Sequence, residues 1–324
     1  MEFNWTLFAQ YLILGVTNGA LIALIALGYT LVYGIVELIN FAHGEVFMMG
    51  AFLSLTAVSA FGLTTGAGAP QIVLASIAAL VAAMLFSGAL NWGIDWVVYR
   101  RLRTAPRLAP LIAAIGVSFI LQGVGIYWKG ATTILPPTLI PSNLRSVNIL
   151  TDWLGLDTRL RFRVLDLAVI LLTIPLLAGL SWLVYRTRTG KAMRAVAQDR
   201  GAAALMGIDV NRTIATAFMI GGVLAGAAGF IVAYYINSAR FQMGFRYGLF
   251  AFTAAVLGGI GNLNGAVLGG LIIGLVWQMS DGFLQNFIPW WGAQWTPLMI
   301  FGVLVLVMIF KPAGLLGEAV PEKV

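Results

Sequence analysis

The sequence contains no cysteine, one histidine (His43), and charged residues at only 10% of its 324 positions. Without cysteine there are no disulfides, thiolate metal sites, iron–sulfur clusters or cysteine nucleophiles. One histidine two positions from Glu45 gives too few ligands for zinc, and the HExxH pattern is absent, so no metal site is expected. A hydrolase would need His43 as its base, and nothing points to a partner serine. There is no GxxxxGK[ST] phosphate loop, so the chain is not expected to hydrolyse ATP or to be an enzyme. No cofactor is expected on it.

What is present is apolar. Hydrophobic residues make up 60% of the chain, and the mean hydropathy is +0.94. Ordinary soluble chains are about a quarter charged, so this inventory cannot make a water-facing surface. Apolar segments lie at about 8–33, 45–61, 71–98, 108–128, 164–184, 213–236, 247–279 and 296–310. Several exceed the ~20 residues that cross a bilayer as a helix, and their unbroken length excludes a transmembrane β-barrel. The expected fold is an all-α, polytopic integral membrane protein. It has eight or nine transmembrane helices, some short or broken, in a single domain over 1–324 with no soluble domain. The net charge of +7 reflects Lys and Arg gathered in cytoplasmic loops, not nucleic-acid binding. The N-terminus lacks a basic n-region and the first basic residue is Arg100, so the first span is expected to remain in the mature protein.

Arg100, Arg101, Arg103 and Arg107 form a basic loop without an acid, which belongs in the cytoplasm. One crossing later, 129–163 is rich in proline (Pro136, Pro137, Pro141) and is expected outside, although Arg159, Arg161 and Arg163 run against the charge bias. The next crossing returns 185–212 to the cytoplasm. The stretch 247–279 reads as two short helices, 247–260 and 265–279, turning at Gly261–Gly265. That reading also puts Lys311, Lys323 and the C-terminus in the cytoplasm. Helices of ~15 residues rise only ~22 Å, and such interrupted segments line cavities in transporters.

A similar interruption follows the first span, at Asn40–Gly44, and Asn40-Phe41-Ala42-His43-Gly44 is echoed by Asn262-Leu263-Asn264-Gly265. The halves, about 8–98 and 213–310, thus read as a weak internal repeat. Asn18, Asn40, His43, Glu45, Gly261, Asn262 and Asn264 are the candidate hinge and pathway residues. His43 and Glu45 could relay protons or bind an ion, since ionisable groups at membrane depth are functional by default. The structural reading is that both flank a helix start near the interface, with Glu45 favouring the helix N-terminus. The many glycines after Gly221 suit close helix packing, and Trp5, Trp290, Trp291 and Trp295 read as interfacial anchors.

Tyr185–Arg212 is a charged island with six of the nineteen Lys and Arg residues. Met193, Ala197, Arg200 and Ala204 recur at helical spacing, and a small-residue run from Gly201 is closed by Gly207 as a C-cap. A short helix with a small apolar face could dock into a partner's groove. It could also lie on lipid headgroups, which its basic ends would favour.

Five stretches resemble the LivH-type permease subunits of branched-chain amino acid ABC importers. They are Gly28–Gly34 (GYTLVYG), Ile39–Glu45 (INFAHGE), Arg194–Ile208 (RAVAQDRGAAALMGI), Phe252–Gly261 (FTAAVLGGIG) and Lys311–Gly317 (KPAGLLG), in order along nearly the whole chain. The resemblance implies a subunit of the bacterial cytoplasmic membrane, working with a second homologous permease and two cytosolic ABC ATPases that hold the ATP. An extracytoplasmic binding protein would deliver leucine, isoleucine or valine. It makes the island the coupling segment, with Arg194, Ala197, Asp199, Ala204 and Gly207 in it. Relatives moving urea or short amides, or a stand-alone secondary transporter or channel, are the alternatives.

Overall fold

The computed structural model describes residues 4–38, 40–62, 68–106, 108–137, 139, 147–156 and 159–317. Ile39, Arg107, Pro141 and Lys323 lie outside the described residues. The helices are α1 (Trp5–Val36), α2 (His43–Ala60), α3 (Ala69–Leu102), α4 (Leu108–Lys129), α5 (Val164–Arg186), α6 (Arg188–Gln198), α7 (Arg200–Leu205), α8 (Val210–Tyr235), α9 (Met243–Gly258), α10 (Leu263–Asn286) and α11 (Thr296–Phe310). Among the described residues there is no β-strand, only the isolated bridges Ile134–Ala239 and Asn148–Arg163. Among the described residues seven helices are long and apolar enough to span a membrane, α11 being counted with its preceding turn as Ala293–Phe310, and α9 is a shorter apolar helix. The chain is an all-α polytopic membrane protein.

Local chemistry sets most of the ends. Asn4 caps α1 by accepting from the Leu7 amide at 3.0 Å, and α1 stops where Glu37 turns left-handed at φ 56°. At the start of α5 Asp166 accepts from the Arg163 amide at 2.9 Å and from its guanidinium at 3.1 Å. Asp166 also accepts from the Tyr235 hydroxyl at 2.8 Å, tying α5 to the end of α8. Both α3 and α10 contain a widened turn of π type, at Asp95–Tyr99 and Met279–Phe283.

The centre is built by α1 and α8, whose lengths are mostly buried, while α4, α5 and α11 expose mostly apolar side chains. Lipid tails are as apolar as leucine, so close approach of backbones must drive the assembly. Gly222 and Gly226 of α8 lie against Ser87, Gly88 and Ala83 of α3, and Gly270 and Gly274 of α10 lie against Ala23 and Gly19 of α1. A side chain at any of these glycines would run into backbone.

The break expected within 247–279 is present, between α9 and α10, with Gly259 at φ 105° and Gly261 at φ 93°. Its first helix begins four residues earlier than the hydropathy suggests. Arg246 lies inside that helix, over the Phe250 and Trp277 rings at 5.9 and 5.2 Å, so a cation occupies a position that hydropathy reads as outside. His43 and Glu45 stand at a helix start: α2 begins at His43, with Glu45 in its first turn. Each is only 1% exposed, packed in the interior where α2 begins.

Candidate functional site: the broken helices and the charged hairpin

Two helix starts meet in the core. α2 begins at His43 and α9 at Met243, and neither is capped by a side chain. A Cβ on Gly44 would strike the Gly244 carbonyl, and one on Gly244 would strike the Glu45 carboxylate, so only glycine permits this crossing. Phe47 and Tyr247 pack beside it, their rings tilted and 5.6 Å apart. Gly44 therefore faces Gly244.

His43 lies edge-on to Tyr29 at 4.7 Å, pressed against Gly28. Neither ring nitrogen has a hydrogen-bond partner among the described residues. Glu45 Oε1 accepts from Gln122 Nε2 at 2.8 Å and Ser118 Oγ at 3.2 Å, whereas Oε2 is buried and has no partner among the described residues. Asn40 joins a different set. Its Nδ2 donates to Asn91 Oδ1 at 3.4 Å, its Oδ1 accepts from the Tyr99 hydroxyl at 2.8 Å, and Asn91 donates to the Phe218 carbonyl at 2.6 Å. Close by in sequence, Arg103 pairs with the buried Asp95 at 2.6 Å. These bonds fasten the α1–α2 turn to α3 and α8.

The remaining pathway candidates lie elsewhere. Asn18 is half-buried on α1, about 15 Å along the helix from Gly28. Gly261 abuts Gly34. Asn262 caps α10 by accepting from the Gly265 amide at 3.0 Å and donates to the Leu316 carbonyl at 2.8 Å, while Asn264 is exposed. The second interruption thus holds the C-terminal segment, and the buried polar groups cluster at the first.

The charged island folds as a helical hairpin. Asp199 caps α7 by accepting from the Gly201 and Ala202 amides at 2.7 and 3.0 Å. Gly207, at φ 82°, closes α7, and the Ile208 amide reaches back to the Ala203 carbonyl at 3.0 Å in a Schellman motif. Arg194 braces the hairpin on α5, donating to the Val184 carbonyl at 2.9 Å and lying over the Tyr185 ring. Arg200 donates to the Val36 carbonyl at 2.7 Å, which links α7 to the end of α1. A cleft of about 300 Å³ separates the end of α6 from Ile35–Leu38 and Arg103. Ala197, Ala204 and Gly207 are exposed. So are Leu205 and Met206, at 91% and 82%. Sequence reasoning overlooked those two residues, although long apolar side chains immediately before a C-cap glycine were the available signal.

The comparisons with known proteins bear on this arrangement. Residues 11–309 match the family described as branched-chain amino acid transport system / permease component. The high-affinity branched-chain amino acid transport system permease protein BraD of Pseudomonas aeruginosa is 36% identical over 98% of each chain. LivH of Escherichia coli, described in the same words, is 35% identical over 100% of both chains. The autoinducer 2 import system permease protein LsrC of an Enterobacter strain is 31% identical over 80% of this chain and 69% of its own. No solved structure matches the chain. With a likeness that covers its full length, the chain belongs to the family of branched-chain amino acid transport permeases.

Proposed function

We propose that this chain is one membrane subunit of an ATP-driven importer of branched-chain amino acids in the bacterial cytoplasmic membrane. A second, homologous permease shares the translocation path, and two cytosolic ATPases supply the energy and hold the ATP. A binding protein outside delivers leucine, isoleucine or valine. This chain carries no cofactor. The hairpin of α6 and α7 lies in the cytoplasm with the C-terminus, and 129–163 faces outside. The halves 8–98 and 213–310 are two copies of one unit, a reading supported by the Gly44–Gly244 and Phe47–Tyr247 meetings.

The observation that carries the reading is the exposed pair Leu205 and Met206 on a hairpin capped at both ends of α7. Apolar side chains held out of the fold suit a groove on a partner. Closure of the ATPases on nucleotide pushes the hairpin, and the Arg200–Val36 bond hands that movement to the α1–α2 turn. Two packings of rigid helices then exchange around the path, which needs only a few kcal/mol of differential binding.

The test is ATP-dependent leucine uptake by the assembled importer in proteoliposomes, with Leu205→Asp and Ala204→Glu as variants. Both put charge on the docking face, and uptake is expected to vanish while the subunit remains in the membrane. Undiminished uptake in either variant would refute the docking role. Urea or amide uptake in place of leucine would transfer the reading to another cargo. Uptake driven by a proton or sodium gradient without ATP would replace it with secondary transport.

A further inference from the structure

A pocket of about 240 Å³ opens between α1, α4 and α9, beside the α1–α2 turn. Drug-sized sites span ~300–1,000 Å³, so this one suits a molecule nearer the size of an amino acid. Its walls are Tyr29, Phe41, Ile115, Phe119 and Leu249, and its polar side chains are Ser118 and Gln122. Those two are the residues that hold Glu45 Oε1.

The second carboxylate oxygen distinguishes the pocket from an ordinary packing gap. Glu45 is not itself a wall of the pocket, but its Oε2 lies against Gly244, which is, and has no hydrogen-bond partner among the described residues. A buried carboxylate oxygen without a partner is costly, and an ammonium brought to it removes that cost. Gly244 and Phe245 also line the pocket from the uncapped first turn of α9. Among the described residues, Met243 and Arg246 amides find backbone acceptors and those of Gly244 and Phe245 do not. Free amides at a helix start favour an anion. A site for a cation and a site for an anion therefore adjoin, with an apolar chamber leading away from both. An α-amino acid has this form: ammonium and carboxylate on one carbon, and a side chain departing from it.

We infer that the pocket is a transit site for a zwitterionic aliphatic amino acid. The ammonium pairs with Glu45, the carboxylate meets the α9 amides, and the side chain lies among Phe41, Ile115 and Phe119. The inference rests on the import reading above and adds where in this chain the cargo is recognised. An aminophospholipid headgroup also carries an ammonium beside an anion, and Ile115 and Phe119 are exposed on the α4 face. The experiment separates the two sources.

The assembled importer, in proteoliposomes, is compared with Glu45→Gln and Ile115→Trp variants. The first removes the charge at constant shape, and the second fills the chamber from an exposed position that does not endanger folding. Leucine uptake is expected to fall about 30-fold with Glu45→Gln, the effect of losing one member of a buried ion pair, while ATP hydrolysis stimulated by the binding protein persists. Ile115→Trp is expected to match it. Wild-type uptake in Ile115→Trp, or in a Glu45→Gln variant that folds, overturns the inference. So does a phosphatidylethanolamine that co-purifies with the wild type and is lost from Glu45→Gln at unchanged uptake. If the wild-type assembly imports no branched-chain amino acid, the import reading fails. Leucine binding to that assembly, read as a thermal shift, then decides the pocket: a shift that Glu45→Gln abolishes sustains it, and no shift ends it.

Discussion

At the scale of single residues, the buried amides govern where the chain can bend. Asn91 sits at 0% exposure between Asn40 on the α1–α2 turn and the Phe218 carbonyl on α8. Asn91→Leu leaves that carbonyl and the Asn40 amide without these partners in the buried interior. The expected cost is about 1–3 kcal/mol, read as a lower midpoint of thermal unfolding of the purified protein. Asn264→Ala is the control, because Asn264 is exposed, and a change within about 0.5 kcal/mol is expected there. Asn40 could be singled out in the sequence because it stands in a polar break between apolar runs. Its partners could not. Asn91 and Tyr99 are 51 and 59 residues away, and one asparagine inside an apolar run does not reveal which other it will meet. The same distance hid Glu45 from Ser118 and Gln122, although the spacing of those two already put them on one face of α4.

At the scale of elements, breaks and caps were legible because glycine and capping chemistry are local. The turn between α9 and α10, the Gly207 cap and the helical island could all be read directly from the sequence. The crossing of α2 and α9 could not, since it depends on which glycines face each other in three dimensions. Glu37 at φ 56° and Asn237 at φ 50° both follow the ends of central helices. The interval between them in the sequence also separates Gly44 from Gly244 and Phe47 from Tyr247. At the same interval from Asn40 and Ala42 stand Arg240 and Gln242. Glycine contacts should also decide stability at this scale. A Cβ on Gly226 would strike the Ala83 carbonyl of α3, so Gly226→Leu must push α3 and α8 apart. Overpacking of this kind costs about 1–3 kcal/mol or more, and the variant is expected to reach the membrane in smaller amounts and to aggregate on size-exclusion chromatography. Gly302→Leu, where nothing lies within contact distance, is expected to behave as the parent. Gly207→Ala tests a cap: a left-handed alanine costs about 1–2 kcal/mol, which should fray α7 and reduce transport without lowering the amount of protein in the membrane.

At the scale of the whole molecule, the structure assigns segments to two ends, and the absence of cysteine makes that assignment testable. At one end, the Arg200–Val36 bond, the contact of Gly34 with Gly261, and the Leu316 amide bonded to the Gly258 carbonyl bring the hairpin, the α9–α10 turn and the C-terminal segment together. At the other, the Ile134–Ala239 bridge, the Gln10 bond to the Arg161 carbonyl and the contact of Tyr11 with Phe283 gather the loop after α4 with the start of α1 and the end of α10. Arg100, Arg101, Arg103, Arg186, Arg188 and Lys191 all lie near the first end, as expected for a cytoplasmic face. Single cysteines introduced as Met206→Cys and Leu316→Cys should therefore react with a membrane-impermeant maleimide only in inverted vesicles. Leu135→Cys and Leu154→Cys, at exposed positions of the loop, should react only in intact spheroplasts. Since the parent chain has no thiol, any signal belongs to the introduced residue. If Met206→Cys and Leu316→Cys reacted from opposite sides, α9 and α10 would not form a returning pair, and the interrupted reading of 247–279 would fail with them. If all four reported the reverse orientation, the helices would stand but the hairpin would face away from any cytosolic ATPase, and the coupling role would have to be given up.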